Sequence, residues 1–110
     1  MSSERMALLQ GTLDLLVLKV LAWGPMHGYG ISTMVHERTK GEITIVDAAL
    51  YKALRRLERD KLVSATWGVS ENNRRARYYR LTAKGRARLK QEVSEWEGYT
   101  AAINRLVRST

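Results

Sequence analysis

Cysteine is absent from this chain, so disulfides and thiolate chemistry drop out at once. Long apolar runs are absent too. The stretch Leu15 to Leu18 is broken by Lys19, and no run approaches the roughly 20 residues of a membrane span. The opening residues, Met1-Ser2-Ser3-Glu4-Arg5, form no apolar secretion segment, which leads us to expect a soluble cytoplasmic protein. His27 and His36 are the only imidazoles, and neither has an acidic partner at helical spacing, so no metal site is expected. With no glycine-rich phosphate loop and no supported Ser-His-Asp grouping, neither an enzyme nor a cofactor is expected. No repeat or low-complexity segment stands out.

Acids are also missing from one long stretch. Between Asn72 and Gln91 the chain carries Arg74, Arg75, Arg77, Arg80, Lys84, Arg86, Arg88 and Lys90 and no Asp or Glu. The net charge is +8 and the pI about 10.2. Such a balance favours nucleic acid or an anionic membrane surface as partner. A length of 110 residues allows one core and not a second.

A second cationic stretch lies in a helix expected from Asp47 to Asp60. At ~100° per residue, Leu50, Leu54 and Leu57 share one side, while Lys52, Arg55, Arg56 and Arg59 gather opposite, with Ala48. Asp47 can cap this helix, and Ala48 and Ala49 keep its leading end slim, as a helix entering a DNA groove requires. An ordinary surface helix with a solvated charged face has the same pattern, so the neighbouring elements must decide.

A first helix is expected from Thr12 to Trp23, stopped by Gly24-Pro25. Its apolar residues cover most of its circumference, which implies burial on more than one side. Either one side meets a second subunit or the helix is central in a monomer. A second helix spans Gly28 to Arg38, with Ile31, Met34 and Val35 inward and Gly41 at its end. Glu42 to Ile45 reads as one short strand. Beyond Leu62 the period suits strands at Val63–Trp67 and Ala76–Leu81, joined by a polar, basic tip that includes Asn73. Thr82 then caps a long helix running toward Val107, with Leu89, Val93, Trp96, Tyr99, Ile103 and Leu106 spaced by three and four, the pattern of a helix–helix seam.

The expected fold is therefore mainly α with a small β-hairpin: a winged helix-turn-helix domain over residues 1–82 and a C-terminal dimerisation helix over 83–110. The third helix would read DNA and the hairpin would be the wing. On this reading Lys52 and Arg55 reach base edges, and Ala48 and Ala49 let the helix approach. Asn73, Arg74, Arg75 and Arg77 meet phosphates or the minor groove. Tyr29 and Tyr51, at helix starts, either donate to phosphate or pack on the core. The partner is duplex DNA with a palindromic operator, bound by a homodimer. A winged module for protein contacts, or one that grips RNA by shape, is the alternative.

Four segments also carry a resemblance. Gly11-Thr12-Leu13-Asp14-Leu15-Leu16, Pro25-Met26-His27-Gly28-Tyr29-Gly30-Ile31, Ala49 to Glu58, and Arg74 to Gly85 together resemble the PadR family of bacterial transcriptional regulators, over about Leu9 to Trp96. The resemblance implies a homodimeric winged-helix repressor whose C-terminal helix packs on the first helix of the second copy, in the subfamily with a single short C-terminal helix. The dimer interface would then use Leu15, Leu18, Leu89, Val93, Trp96, Tyr99, Ile103 and Leu106. It also implies that small phenolic or planar aromatic effectors can relieve repression, with Leu15, Leu18 and Trp96 as the matching pocket residues. A Trp in a helix seam is more often a packed residue than a ligand platform, so dimer packing also accounts for Trp96. Two departures from the family pattern are Lys52, where Pro is common, and Lys61, where Gly is common.

Overall fold

The computed structural model describes the backbone of residues 2–110 and the side chains of residues 12–110. The order is α1 (Ser2–Leu21), α2 (Gly28–Arg38), α3 (Asp47–Arg59), β1 (Val63–Val69), β2 (Arg75–Leu81) and α4 (Ala83–Val107). This is a winged helix-turn-helix with one long C-terminal helix.

α1 runs earlier than the expected Thr12 start and stops at Leu21, two residues short of Trp23, where Gly24 takes φ 144 before Pro25. Val17, Leu18, Val20 and Leu21 are buried, and α1 touches α2, α3, α4 and β2. The apolar circumference of this part of α1 is thus covered by its own chain. Leu18, expected at a dimer interface and effector pocket, is a correction: it is 0 % exposed, enclosed by the core of its own protomer. Leu13 and Leu16 are only partly buried against that core, and Leu15 is half-buried.

α2 and α3 end alike. Beyond α3, Lys61 donates its amide to Glu58 O and Leu62 donates to Leu57 O, with Lys61 at φ 63. Beyond α2, Lys40 donates to Glu37 O and Gly41 to His36 O, with Lys40 at φ 54. In each case a lysine occupies the left-handed position that glycine holds at lower cost, on the order of 1 kcal/mol. The buried Leu62 that follows Lys61 anchors the second turn.

The expected strand at 42–45 does not form. The Ile43 amide donates instead to the Thr39 hydroxyl (3.1 Å), which itself donates to Val35 O (2.7 Å), so the turn between α2 and α3 is tied to the end of α2. The third element of the small sheet comes from elsewhere. Met26 pairs with Tyr79, exchanging two backbone hydrogen bonds of 3.0 and 2.8 Å.

β1 and β2 are antiparallel, in register from Val63↔Leu81 to Val69↔Arg75. Alternation puts Val63, Leu81 and Tyr79 in the core at the root of the hairpin. It leaves Trp67, Val69, Arg75 and Arg77 on the same face further out. β1 runs two residues nearer the tip than expected and β2 one. The tip closes with Ser70 donating to Arg74 O and Asn73 donating to Ser70 O; Asn73 sits at φ 58, which asparagine tolerates.

Thr82 caps α4 as expected, accepting from the Gly85 amide (3.0 Å). The same hydroxyl donates to Lys61 O (2.7 Å), joining α4 to the end of α3. Leu89 packs against the protomer's own core, whereas Trp96, Tyr99, Ile103, Leu106 and Val107 stand exposed along the outer half of α4. Glu92, at the α1–α4 junction, has its carboxyl pushed up by burial and by the nearby Asp14 charge, with Arg88 at 3.6 Å opposing.

Gly85 is where α4 rides on the α3–β1 corner: a Cβ there would lie 2.0 Å from the Leu62 carbonyl oxygen. Gly85→Ala should destabilise the protein by about 3 kcal/mol, because backbone rather than a mobile side chain must move. A chemical-denaturation midpoint within error of the parent would contradict this.

Candidate nucleic-acid interface

Three elements converge on one open cleft. His27, Gly28 and Tyr29 come from the start of α2, Tyr51 from α3, and Trp67, Ser70 to Asn72, Arg74 to Arg77 and Tyr79 from the wing. Its volume is about 470 Å³. Aromatic rings line it, and the Arg74, Arg75 and Arg77 guanidiniums give it positive charge.

The start of α2 is shaped by His27. Its Nδ1 accepts the Gly30 amide (2.9 Å), a cap that requires this nitrogen unprotonated. Its Nε2 lies 3.5 Å from Glu71 Oε1 at the wing tip, and its ring meets Tyr78 edge-on at 5.2 Å. Tyr29, the next aromatic on α2, is 74 % exposed. Neither Tyr29 nor Tyr51 is buried in the core; Tyr29 stands out from α2, while the Tyr51 ring lies against Gly28.

α3 differs from expectation at its start. Asp47 is the first helical residue and not the cap; Val46 holds the cap position, with no side-chain hydrogen bond. Ala48, Ala49, Tyr51, Lys52 and Arg55 are exposed on the outer face, while Leu50, Ala53, Leu54 and Leu57 are buried. Arg56 leaves the cationic face. It lies only ~60° around the helix from the buried Ala53, so it reaches back to pair with Asp14 of α1. Arg59 lies 3.2 Å from its neighbour Asp60. Lys52 and Arg55 are therefore the cations of α3 that no carboxylate engages among the described residues.

The wing is braced against α3 by Glu58, whose Oε2 accepts from Arg77 Nη2 (2.9 Å). Arg77 also lies 5.8 Å from the Tyr79 ring, and its Nε is buried without a partner. Burial raises the Tyr79 hydroxyl above its ordinary pKa, with the Arg77 charge opposing. Arg75 lies over Trp67 at 4.4 Å. Arg74 lines the cleft mouth, while Asn73 sits at the tip itself, exposed. Sequence reasoning did not single out Trp67 or Glu58. Hairpin register would have revealed Trp67, because it lies directly opposite Arg77.

The expected interface residues divide along α4. Leu89 faces its own core and Val93 is half-buried, while Trp96, Tyr99, Ile103 and Leu106 form an exposed apolar row, with the Trp96 and Tyr99 rings 6.4 Å apart. Among the described residues, no group of three or more His, Cys, Asp or Glu could hold a metal ion, and no helix is long and apolar enough to cross a membrane.

Gly28 leaves room for the cleft wall, since a Cβ there would lie 2.5 Å from the Tyr51 hydroxyl oxygen. Gly28→Ala should displace the Tyr51 ring, shifting its NMR resonances, at a stability cost of about 1–2 kcal/mol. Unmoved Tyr51 resonances would show that the ring is not seated against Gly28.

Residues 17–91 match the sequence profile of the transcriptional regulator PadR-like family. An uncharacterized protein of Lysinibacillus sphaericus is 33 % identical over 92 residues, 84 % of each chain. Among solved structures, a transcriptional regulator from Clostridium thermocellum is 32 % identical, with a TM-score of 0.84 over 93 % of this chain and 99 % of that one. A PadR family transcriptional regulator from Eggerthella lenta is 28 % identical, with a TM-score of 0.83 over 99 % and 93 %.

Proposed function

This chain belongs to the PadR-like family of DNA-binding transcriptional regulators, and from that premise we propose that it is a dimeric repressor of its own or a neighbouring operon. The observation that carries the proposal is the cationic, aromatic-walled cleft between the start of α2, α3 and the wing. A DNA backbone strand fits there. Tyr29 and Tyr51 donate to phosphate, and Arg74, Arg75 and Arg77 supply charge. Lys52 and Arg55, with Ala48 and Ala49 beside them, face the major groove, and Asn73 rides at the wing tip. Phosphate contacts fix the register, and the α3 side chains read bases.

The exposed Trp96, Tyr99, Ile103 and Leu106 row supports a second copy as its cover, with Val93 and Leu15 at the margin. Two copies related by a dyad call for a palindromic operator with half-sites about one helical turn apart. A small planar aromatic effector seated on Trp96 beside Leu15 would act at that dimer centre. Leu18 has no part in it.

A mobility shift on the DNA upstream of its own gene tests this reading. If each copy neutralises about four phosphates, binding weakens by roughly 10⁴ from 50 to 200 mM salt. No salt-sensitive shift, or preference for structured RNA over duplex DNA, would defeat it. Arg55→Ala should weaken operator binding by about 1–3 kcal/mol and relax sequence preference, whereas Arg75→Ala should weaken all duplexes about equally. Trp96→Asp should give monomers in sedimentation, because it sets a charge in the apolar seam; an unchanged dimer mass would remove α4 as the interface.

A further inference from the structure

We propose that Trp67 is the positioning residue of the wing: its indole holds Arg75 in the cleft, aimed at phosphate, without neutralising it. The inference rests on the reading of the cleft as a DNA site. The indole is 59 % exposed on a strand whose root is buried, so core packing does not account for it. Register places it directly across from Arg77 and on the same face as Arg75, two pairs further out. The Arg75 guanidinium lies 4.4 Å from the ring centroid and that of Arg77 lies 5.9 Å away.

The two arginines are held by different chemistry. Arg77 gives an N–H to the Glu58 carboxylate, which fixes it and offsets part of its charge. Among the described residues no carboxylate pairs with Arg75. An arginine in water samples many rotamers and must surrender them on binding. A carboxylate would order it and cancel its charge. An aromatic face orders it through the ring quadrupole and leaves the positive charge available. Trp67 therefore preorganises a cation that remains able to displace counterions from DNA.

The test is a double-mutant cycle on mixed-sequence duplex DNA, read by fluorescence anisotropy across a salt series. Trp67→Ala should weaken binding roughly tenfold at fixed salt. It should also lower the salt slope by about one for each wing. Trp67→Phe, which keeps a π face, should restore most of both, while Trp67→Leu, which keeps only apolar cover, should behave like the alanine variant. In an Arg75→Ala background Trp67→Ala should cost nothing further, because the ring acts through that arginine. Multiplying effects in the double variant, or a leucine variant that binds like the parent, would overturn the inference alone. A parent without salt-sensitive binding, or Arg75→Ala binding like the parent, would overturn the reading of the cleft as well.

Discussion

Two hydrogen bonds between Met26 and Tyr79 determine where the functional surface can form. A two-stranded hairpin is marginal alone in water. Here its root is buried and one residue of a third strand is added at Tyr79. The chain runs antiparallel to β2 at this single bridge, so His27, the next residue, falls beside Tyr78, and the start of α2 opens toward the wing. Two residues along β2 from Tyr79, on the same face, Arg77 turns toward α3, where Glu58 receives it. The cleft is what remains between these fixed positions.

Charge in this protein is sorted by whether it has been given a carboxylate. Arg56 meets Asp14 and Arg77 meets Glu58, each at a joint between elements, while Arg88 lies near Glu92 within α4. Such half-exposed pairs contribute little stability, about 1 kcal/mol or less each, but the first two orient the elements they join. Lys52, Arg55, Arg74 and Arg75 have no such partner among the described residues. Asp14 and Glu58 thus sit where helices and wing must meet, and much of the excess cation is left for an outside anion.

Much of this was legible in the sequence because it is local. The limits of α2 and α3, the Thr82 cap and the wing follow from periodicity, capping chemistry and turn formers. Lys61 carries the backbone conformation that its Gly-like position implied. The Asp47 cap and the end of α1 are local errors of one or two residues, and the larger ones are tertiary. Residues 42–45 have strand-like composition, but Thr39 takes the Ile43 amide. An apolar circumference does not say who covers it, and for Leu18 the cover is its own chain. Arg56 lies at the edge of a face, where a neighbouring helix decides its direction. Trp67 gave no local signal, since only the strand register sets it opposite Arg77.

The joint at Gly85 has a mechanical consequence. α4 is clamped at its first turn, where Thr82 bonds Lys61 O and the Leu62 carbonyl leaves no room for a Cβ. That corner follows directly on the end of α3, so the seating of α4 is set relative to α3. With 25 residues, α4 is about 37 Å long, and a tilt of ~5° at the clamp displaces its far end by about 3 Å. That is close to the rise of one base pair. α4 is in this sense a gauge: its seating angle translates directly into the distance across which anything fixed to its far end is held.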